Sequence, residues 1–204
     1  MADLNPERRT LHCFADILEY PGAGLAATVQ ECETRIASRN PGAAALLGEF
    51  RAFVESTPQG GLEAVYTSTF DLNATYHPYI GHHLLGETYK RSEFLLELKK
   101  RYRAHGFTAK ETELPDHLAV VLHFMAVCDD AALVMELIED ALLPTLEQMV
   151  KKDKEEEPAD GDEQRPSFRA YQRVLRALQM TLQQSMPNNE GPAIGETLSG
   201  TDQP

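Results

Sequence analysis

Residues 118–128, LAVVLHFMAVC, constrain this chain more than any other segment. Leu118, Val120, Val121, Leu122, Phe124, Met125 and Val127 cover nearly every side of a helix, leaving no face for water. Such a helix has to be surrounded by other elements, so it is the expected centre of the core. His123 interrupts the apolar run and reads as a hydrogen-bonded core histidine.

The walls around that helix are helical too, because apolar residues recur at three- and four-residue spacing and strand-like alternation is nearly absent. Asn5-Pro6 reads as a cap with proline in the first turn, leading into Leu11, Phe14, Ala15 and Leu18 and stopping at Pro21-Gly22. Leu25, Val29, Cys32 and Ile36 form a second face, closed by Asn40-Pro41-Gly42, and Leu46, Leu47, Phe50, Phe53 and Val54 form a third. Thr57-Pro58 repeats the cap-plus-proline start and leads to Leu62, Val65, Tyr66 and Phe70. The helix from Thr88 should end near His105, with Gly106 left-handed and Phe107 folding back on Tyr102. Asp129-Asp130 restart the chain into Leu133, Leu137 and Ile138, and Pro144 kinks or interrupts the helix that continues to Met149 and Val150. A last helix carries Phe168, Tyr171, Val174, Leu175, Leu178 and Leu182. Periodicity fails from Asp71 to Gly86, which reads as a long loop with Pro78, Gly81 and the histidines His77, His82 and His83. The stretch 151–166 is dense in acid and reads as a mobile tether, and 187–204 reads as a disordered tail. The expected fold is an all-α, single-domain helical bundle over residues 1–186.

A formal net charge of −13 opposes nucleic-acid binding and suits a basic partner such as a positively charged peptide. Cys13, Cys32 and Cys128 are too scattered for a disulfide framework or a zinc knuckle. The polar N-terminus lacks a secretory core, and no window approaches ~20 apolar residues, so a cytoplasmic chain without membrane insertion is expected. Phosphate-loop, dinucleotide, H-E-x-x-H and G-x-S-x-G motifs are absent, so no cofactor, no catalytic residue and no metal ligand set is assigned. One enzymatic alternative is a metal-dependent hydrolase using the loop histidines His77, His82 and His83.

Two polar motifs carry the functional reading: His83-Leu84-Leu85-Gly86-Glu87 and Glu113-Leu114-Pro115-Asp116-His117. Both sit where a helix should begin, with its unpaired N–H groups and partial positive charge. On the plain reading, Gly86 makes a tight turn, Pro115 starts a helix and Asp116 complements its N–H groups. On the functional reading, Gly86 admits a guest backbone, while Glu87, Glu113 and Asp116 meet cations of a partner. His117 then stays neutral at a positive helix end and serves as an adaptable hydrogen-bonding group. Tyr66, Phe70, Tyr76 and Tyr79 pack in the core in part, and some of them line an apolar cleft.

In these residues the chain resembles the NarJ branch of the TorD/DmsD/NarJ family of molybdoenzyme assembly chaperones. Ile17-Leu18-Glu19-Tyr20-Pro21 is similar to the family's L-L-E-Y-P, and Tyr66 to Phe70-Asp71 to its Y-x-x-x-F-D. His83-x-x-Gly86-Glu87 with Arg91 resembles its H-x-x-G-E segment, and Glu113 to Leu118 its E-L-P-D-H-L block. The resemblance implies an all-helical fold, no catalysis, and binding of the N-terminal segment of a molybdoenzyme large subunit during insertion of molybdenum-bis(guanine dinucleotide) and iron–sulfur clusters. The peptide-binding set expected on this basis is Tyr66, Phe70, Asp71, Tyr79, His83, Gly86, Glu87, Arg91, Glu113, Pro115, Asp116 and His117. Gly86 and Pro115 would shape backbone, and Glu87, Glu113 and Asp116 would contact cations. The acidic stretch, the tail and the histidine-rich loop depart from a minimal family member. The identity of the client and dimerisation by helix exchange stay open, as does a rival reading as a general helical adaptor.

Overall fold

The apolar segment forms α7 (Leu118–Val127), with Leu118 to Leu122 and Phe124 to Ala126 all buried. The computed structural model describes residues 6–110, 112–151 and 165–186; the acidic stretch, the tail and the cap at Asn5 lie outside them, apart from Lys151, Arg165 and Pro166 in flanking helices. The other helices are α1 (Pro6–Ile17), α2 (Leu25–Ile36), α3 (Pro41–Ser56), α4 (Gln59–Tyr66), α5 (Ile80–Leu85), α6 (Tyr89–Ala104), α8 (Ala131–Glu136), α9 (Leu143–Lys151) and α10 (Arg165–Gln184). The fold is all-α. α1 lies between α7 and α2, α3 between α2 and α10, and α10 also packs on α9. Among the described residues no strand forms, and no helix is long and apolar enough to cross a membrane. The three cysteines are free and buried, and burial pushes the Cys13 thiol up to about 11, as expected for inert packing groups.

The helix ends follow local chemistry. The Asn40 side chain accepts from Ala43 N–H at 3.0 Å, and Pro41 occupies the first turn of α3. Gly106 turns left-handed at φ +68°; its N–H donates to Arg103 O, while Phe107 N–H donates to Tyr102 O at 2.8 Å. With the Tyr102 and Phe107 rings 5.2 Å apart, this is the expected Schellman ending.

Three sequence expectations are corrected. Thr57 closes α3 rather than capping α4: its hydroxyl donates to Phe53 O at 2.7 Å, and Pro58 stands at the start of α4. The helix does not break at Pro144. A π-helical stretch, Leu137–Leu142, leads straight into α9, and the wider turn relieves the crowding proline imposes on the preceding carbonyls. The segment Asp71–Gly86 is not one loop. A second π-helical turn (Thr67–Asp71) and a 3₁₀ turn (Ala74–Tyr76) precede α5, so His82 and His83 are helical residues.

Candidate functional site

Although residues 88–112 separate the two polar motifs in sequence, backbone hydrogen bonds clip the segments that carry them together. Ile80 N–H donates to Asp116 O at 2.9 Å and Leu118 N–H to Pro78 O at 2.7 Å, an isolated antiparallel bridge pairing Tyr79 with His117. This bridge brings the start of α5 against the start of α7.

Asp116 sits behind the bridge, fully buried. Its Oδ2 accepts from Gly81 N–H at 3.1 Å and from Arg91 Nε at 3.3 Å. The Arg91 side chain, 12% exposed, spans from this carboxylate to Glu87 Oε1 at 2.8 Å, and its guanidinium lies 5.7 Å from the Tyr79 ring centre. Asp116 therefore meets a cation of its own chain, and it serves the start of α5 rather than the start of α7. Burial raises its carboxyl above the ordinary 3.8, against the pull of Arg91. Gly81 is required by space: an added Cβ would lie 2.8 Å from Asp116 Oδ2 and 3.1 Å from both Arg91 Cγ and Phe94 Cδ1. Gly86 has open space around it, and its requirement is conformational, with φ +61° and ψ −162°.

The cap of α7 is His117, whose Nδ1 accepts from Ala119 N–H at 3.2 Å. That bond assigns the ring proton to Nε2. Burial lowers its pKa from 6.5 to about 4, so the ring is neutral at physiological pH. Pro115 is held from below: the buried Tyr102 hydroxyl donates to its carbonyl at 2.6 Å.

Outward from this network, the Tyr79 hydroxyl donates to Glu113 Oε2 at 3.3 Å. Its phenol is pushed up by burial first, then by the charge and hydrogen bond of Glu113, with smaller contributions from Asp116 and Asp71. Among the described residues neither Asp71 nor Glu113 has an ion-pair partner. Beside them in sequence stand large exposed apolar side chains, Leu72 at 78% and Leu114 at 43%. Tyr20, 58% exposed, rests edge-on against Tyr66 at 5.3 Å. Each of the two exposed acids thus has an exposed apolar neighbour in sequence.

The structure joins Tyr79, Glu87, Arg91, Glu113, Pro115, Asp116 and His117 in this network. It places Tyr66 and Phe70 elsewhere. Phe70 is buried against Tyr66 and Tyr171, with ring centres 4.9 and 5.1 Å apart, and the Tyr66 hydroxyl donates to Leu18 O. These two rings are buried and pack in the core. His83 Nε2 lies 2.8 Å from His77 O, and the His77, His82 and His83 rings meet edge to face rather than converging on a shared point. Gly81, Tyr102, Tyr20, Leu72 and Leu114 stand outside the set expected from sequence. Leu114 sits inside the second motif, and an apolar residue placed between an acid and a proline was its available signal.

A family model described as nitrate reductase delta subunit matches residues 37–177. The nitrate reductase molybdenum cofactor assembly chaperone NarJ of Escherichia coli K12 is 32% identical over 113 residues, 54% of this chain and 48% of that protein. A Bacillus subtilis relative, a probable chaperone of the same description, is 34% identical over 84 residues, 41% of this chain and 45% of that protein. The nitrate reductase-like protein NarX of Mycobacterium tuberculosis is 29% identical over 120 residues, 59% of this chain and 18% of that protein. The chain thus spans about half the length of the NarJ relatives it matches. A solved Archaeoglobus fulgidus chain described as a redox enzyme maturation protein shares the fold, with a TM-score of 0.54 at 20% identity over 86% of this chain and 93% of that one.

Proposed function

Because the chain belongs to the nitrate reductase delta subunit family, we propose that it is an assembly chaperone for a nitrate reductase-like molybdoenzyme. In this reading it is not an enzyme. It works in the cytoplasm, holding the catalytic subunit while the molybdenum cofactor is inserted, before membrane docking or export.

The observation that carries this reading is the division of labour at the bridged motifs. Asp116, Arg91, His117 and Tyr102 are spent on holding α5, α6 and α7 together, leaving Asp71, Glu113, Leu72, Leu114 and Tyr20 turned to solvent. The N-terminal segment of the catalytic subunit, basic on one side and apolar on the other, is the proposed occupant. Its apolar side lies on the exposed leucines and tyrosines, and its cations meet Asp71 and Glu113. The overall charge of −13 speeds that encounter. Release after maturation requires a moderate affinity, about −8 to −10 kcal/mol, micromolar or somewhat tighter.

Co-purification tests the role. The protein is expected to retain the catalytic subunit made in cells unable to synthesise the cofactor, and to lose it once the cofactor is in place. Equal retention of mature and cofactor-free subunit would identify a general adaptor instead.

A further inference from the structure

On the seam between α1 and α7, away from the bridged motifs, two histidines and an aspartate converge from helices far apart in sequence. His12 and Asp16 are one turn apart on α1, and His123 reaches them from α7 as the only polar side chain of that helix. Asp16 Oδ1 lies 3.4 Å from His12 Nδ1 and 3.5 Å from His123 Nε2, and the three donor atoms all fall within 4.8 Å of one another. The two imidazoles stand edge to face at 4.9 Å.

The spacing has a specific meaning. Nitrogen and oxygen ligands about 2.0–2.1 Å from a tetrahedral zinc ion lie roughly 3.3–3.4 Å from each other. The two edges that meet at Asp16 are close to that length, and the third, between the two rings, lies within 4.8 Å. A hydrogen bond to Glu19 satisfies His123 Nε2, and an ion would replace it, whereas His12 is left unsatisfied. His12 Nδ1 is shielded from solvent yet has no hydrogen-bond partner, although Asp16 stands beside it. Glu19 completes the surroundings: its Oε1 is 3.2 Å from His123 Nε2, and Lys110 holds its carboxylate at 2.7 and 2.8 Å. The neighbouring Cys13 thiol is buried and protonated, so the donor set is nitrogen and oxygen without sulfur.

We propose that His12, Asp16 and His123 form a binding site for a divalent transition metal of the zinc class, with water in the fourth position. Two imidazoles and one carboxylate suit zinc, cobalt, nickel and copper and disfavour magnesium and calcium, which take oxygen donors. The ion would clasp α1 to α7, the core helix that His117 caps. Because both rings must be deprotonated to coordinate, binding releases protons and weakens in acid.

The test uses the full chain purified without an affinity tag, stripped with a chelator and titrated with Zn²⁺ by calorimetry. Co²⁺ then serves as a spectroscopic reporter. The expected result is one equivalent bound, a higher Tm with zinc, and a tetrahedral cobalt spectrum lacking thiolate charge transfer. His12→Gln and Asp16→Asn, both at half-exposed positions that leave the core intact, should each weaken binding tenfold or more. The double variant His77→Gln/His82→Gln should bind as the parent does. Absence of stoichiometric binding overturns the proposal. So does binding that survives both His12→Gln and Asp16→Asn, or that disappears with the loop histidines.

Discussion

Replacing Asp116 by alanine is expected to cost about 3 kcal/mol of folding stability, a figure set by what its carboxylate holds. Removing it strands the buried Gly81 N–H, which by itself costs about 1–3 kcal/mol, and takes one of two anions from Arg91. Breaking a buried ion pair costs roughly 3–5 kcal/mol. Arg91 keeps Glu87, which is 77% exposed, on its solvent side, and Asp116 Oδ1 has no partner to lose, so the low end applies. For a domain of this size that corresponds to a Tm drop of about 6–12 °C. Asp116→Asn keeps the shape and an acceptor for Gly81 and should cost less. Its comparison with wild type also carries a pH signature. Because the folded carboxyl titrates above 3.8, the native state holds that proton to higher pH than the unfolded chain does. Wild-type stability relative to Asp116→Asn therefore falls as pH rises through that window, and the deficit of the variant is widest in acid. Urea unfolding followed by far-ultraviolet circular dichroism measures all three proteins. An Asp116→Ala variant within about 1 kcal/mol of wild type would refute the assignment of Asp116 as the buried tie between α5, α6 and α7, and a deficit of Asp116→Asn that grows with pH would show that pairing with Arg91, rather than burial, dominates its carboxyl.

Other perturbations test neighbouring links. His117 is neutral in the fold, with its pKa lowered from 6.5 to about 4, so its contribution is complete above 6.5 and lost as pH falls through about 4. Relative to His117→Asn, which can cap α7 without titrating, wild type should lose about 3 kcal/mol across that interval in acid unfolding curves. Gly81→Ala gains up to ~1 kcal/mol of helix propensity but must displace Asp116 Oδ2; a net loss of about 1–2 kcal/mol is expected in denaturant titration. Tyr102→Phe leaves the Pro115 carbonyl without its buried donor and should cost about 1–2 kcal/mol, with faster amide exchange at residues 113–117.

Much of the fold is readable wherever a helix is long enough to repeat its apolar spacing. α2, α3 and α6 are of this kind, and Gly106 with Phe107 marks a helix end by local chemistry alone. α5 escapes because six residues give no periodicity and Gly81 looks like a breaker; the helix exists because Asp116, 35 positions later, receives the Gly81 N–H. The π-helical stretch before Pro144 escapes because proline normally signals interruption. The site motifs themselves were readable, but burial was not: an aromatic or an acid in a motif does not declare which way it faces. Phe70 and Asp116 turned inward, while Leu72 and Leu114 next to exposed acids turned outward. The His12–Asp16–His123 cluster could not be read at all, since its members meet only through the packing of α1 on α7.

Peptide capture by the bridged face is put to the question by calorimetric titration of the protein with a synthetic peptide of the nitrate reductase catalytic subunit's N-terminal segment. Saturable one-to-one binding in the micromolar range or tighter is expected, weakened at least tenfold by the surface double variant Asp71→Asn/Glu113→Gln. Far-ultraviolet circular dichroism of that variant should be unchanged. A well-folded protein that ignores the peptide, or that binds it equally after both acids are neutralised, would contradict capture at this face.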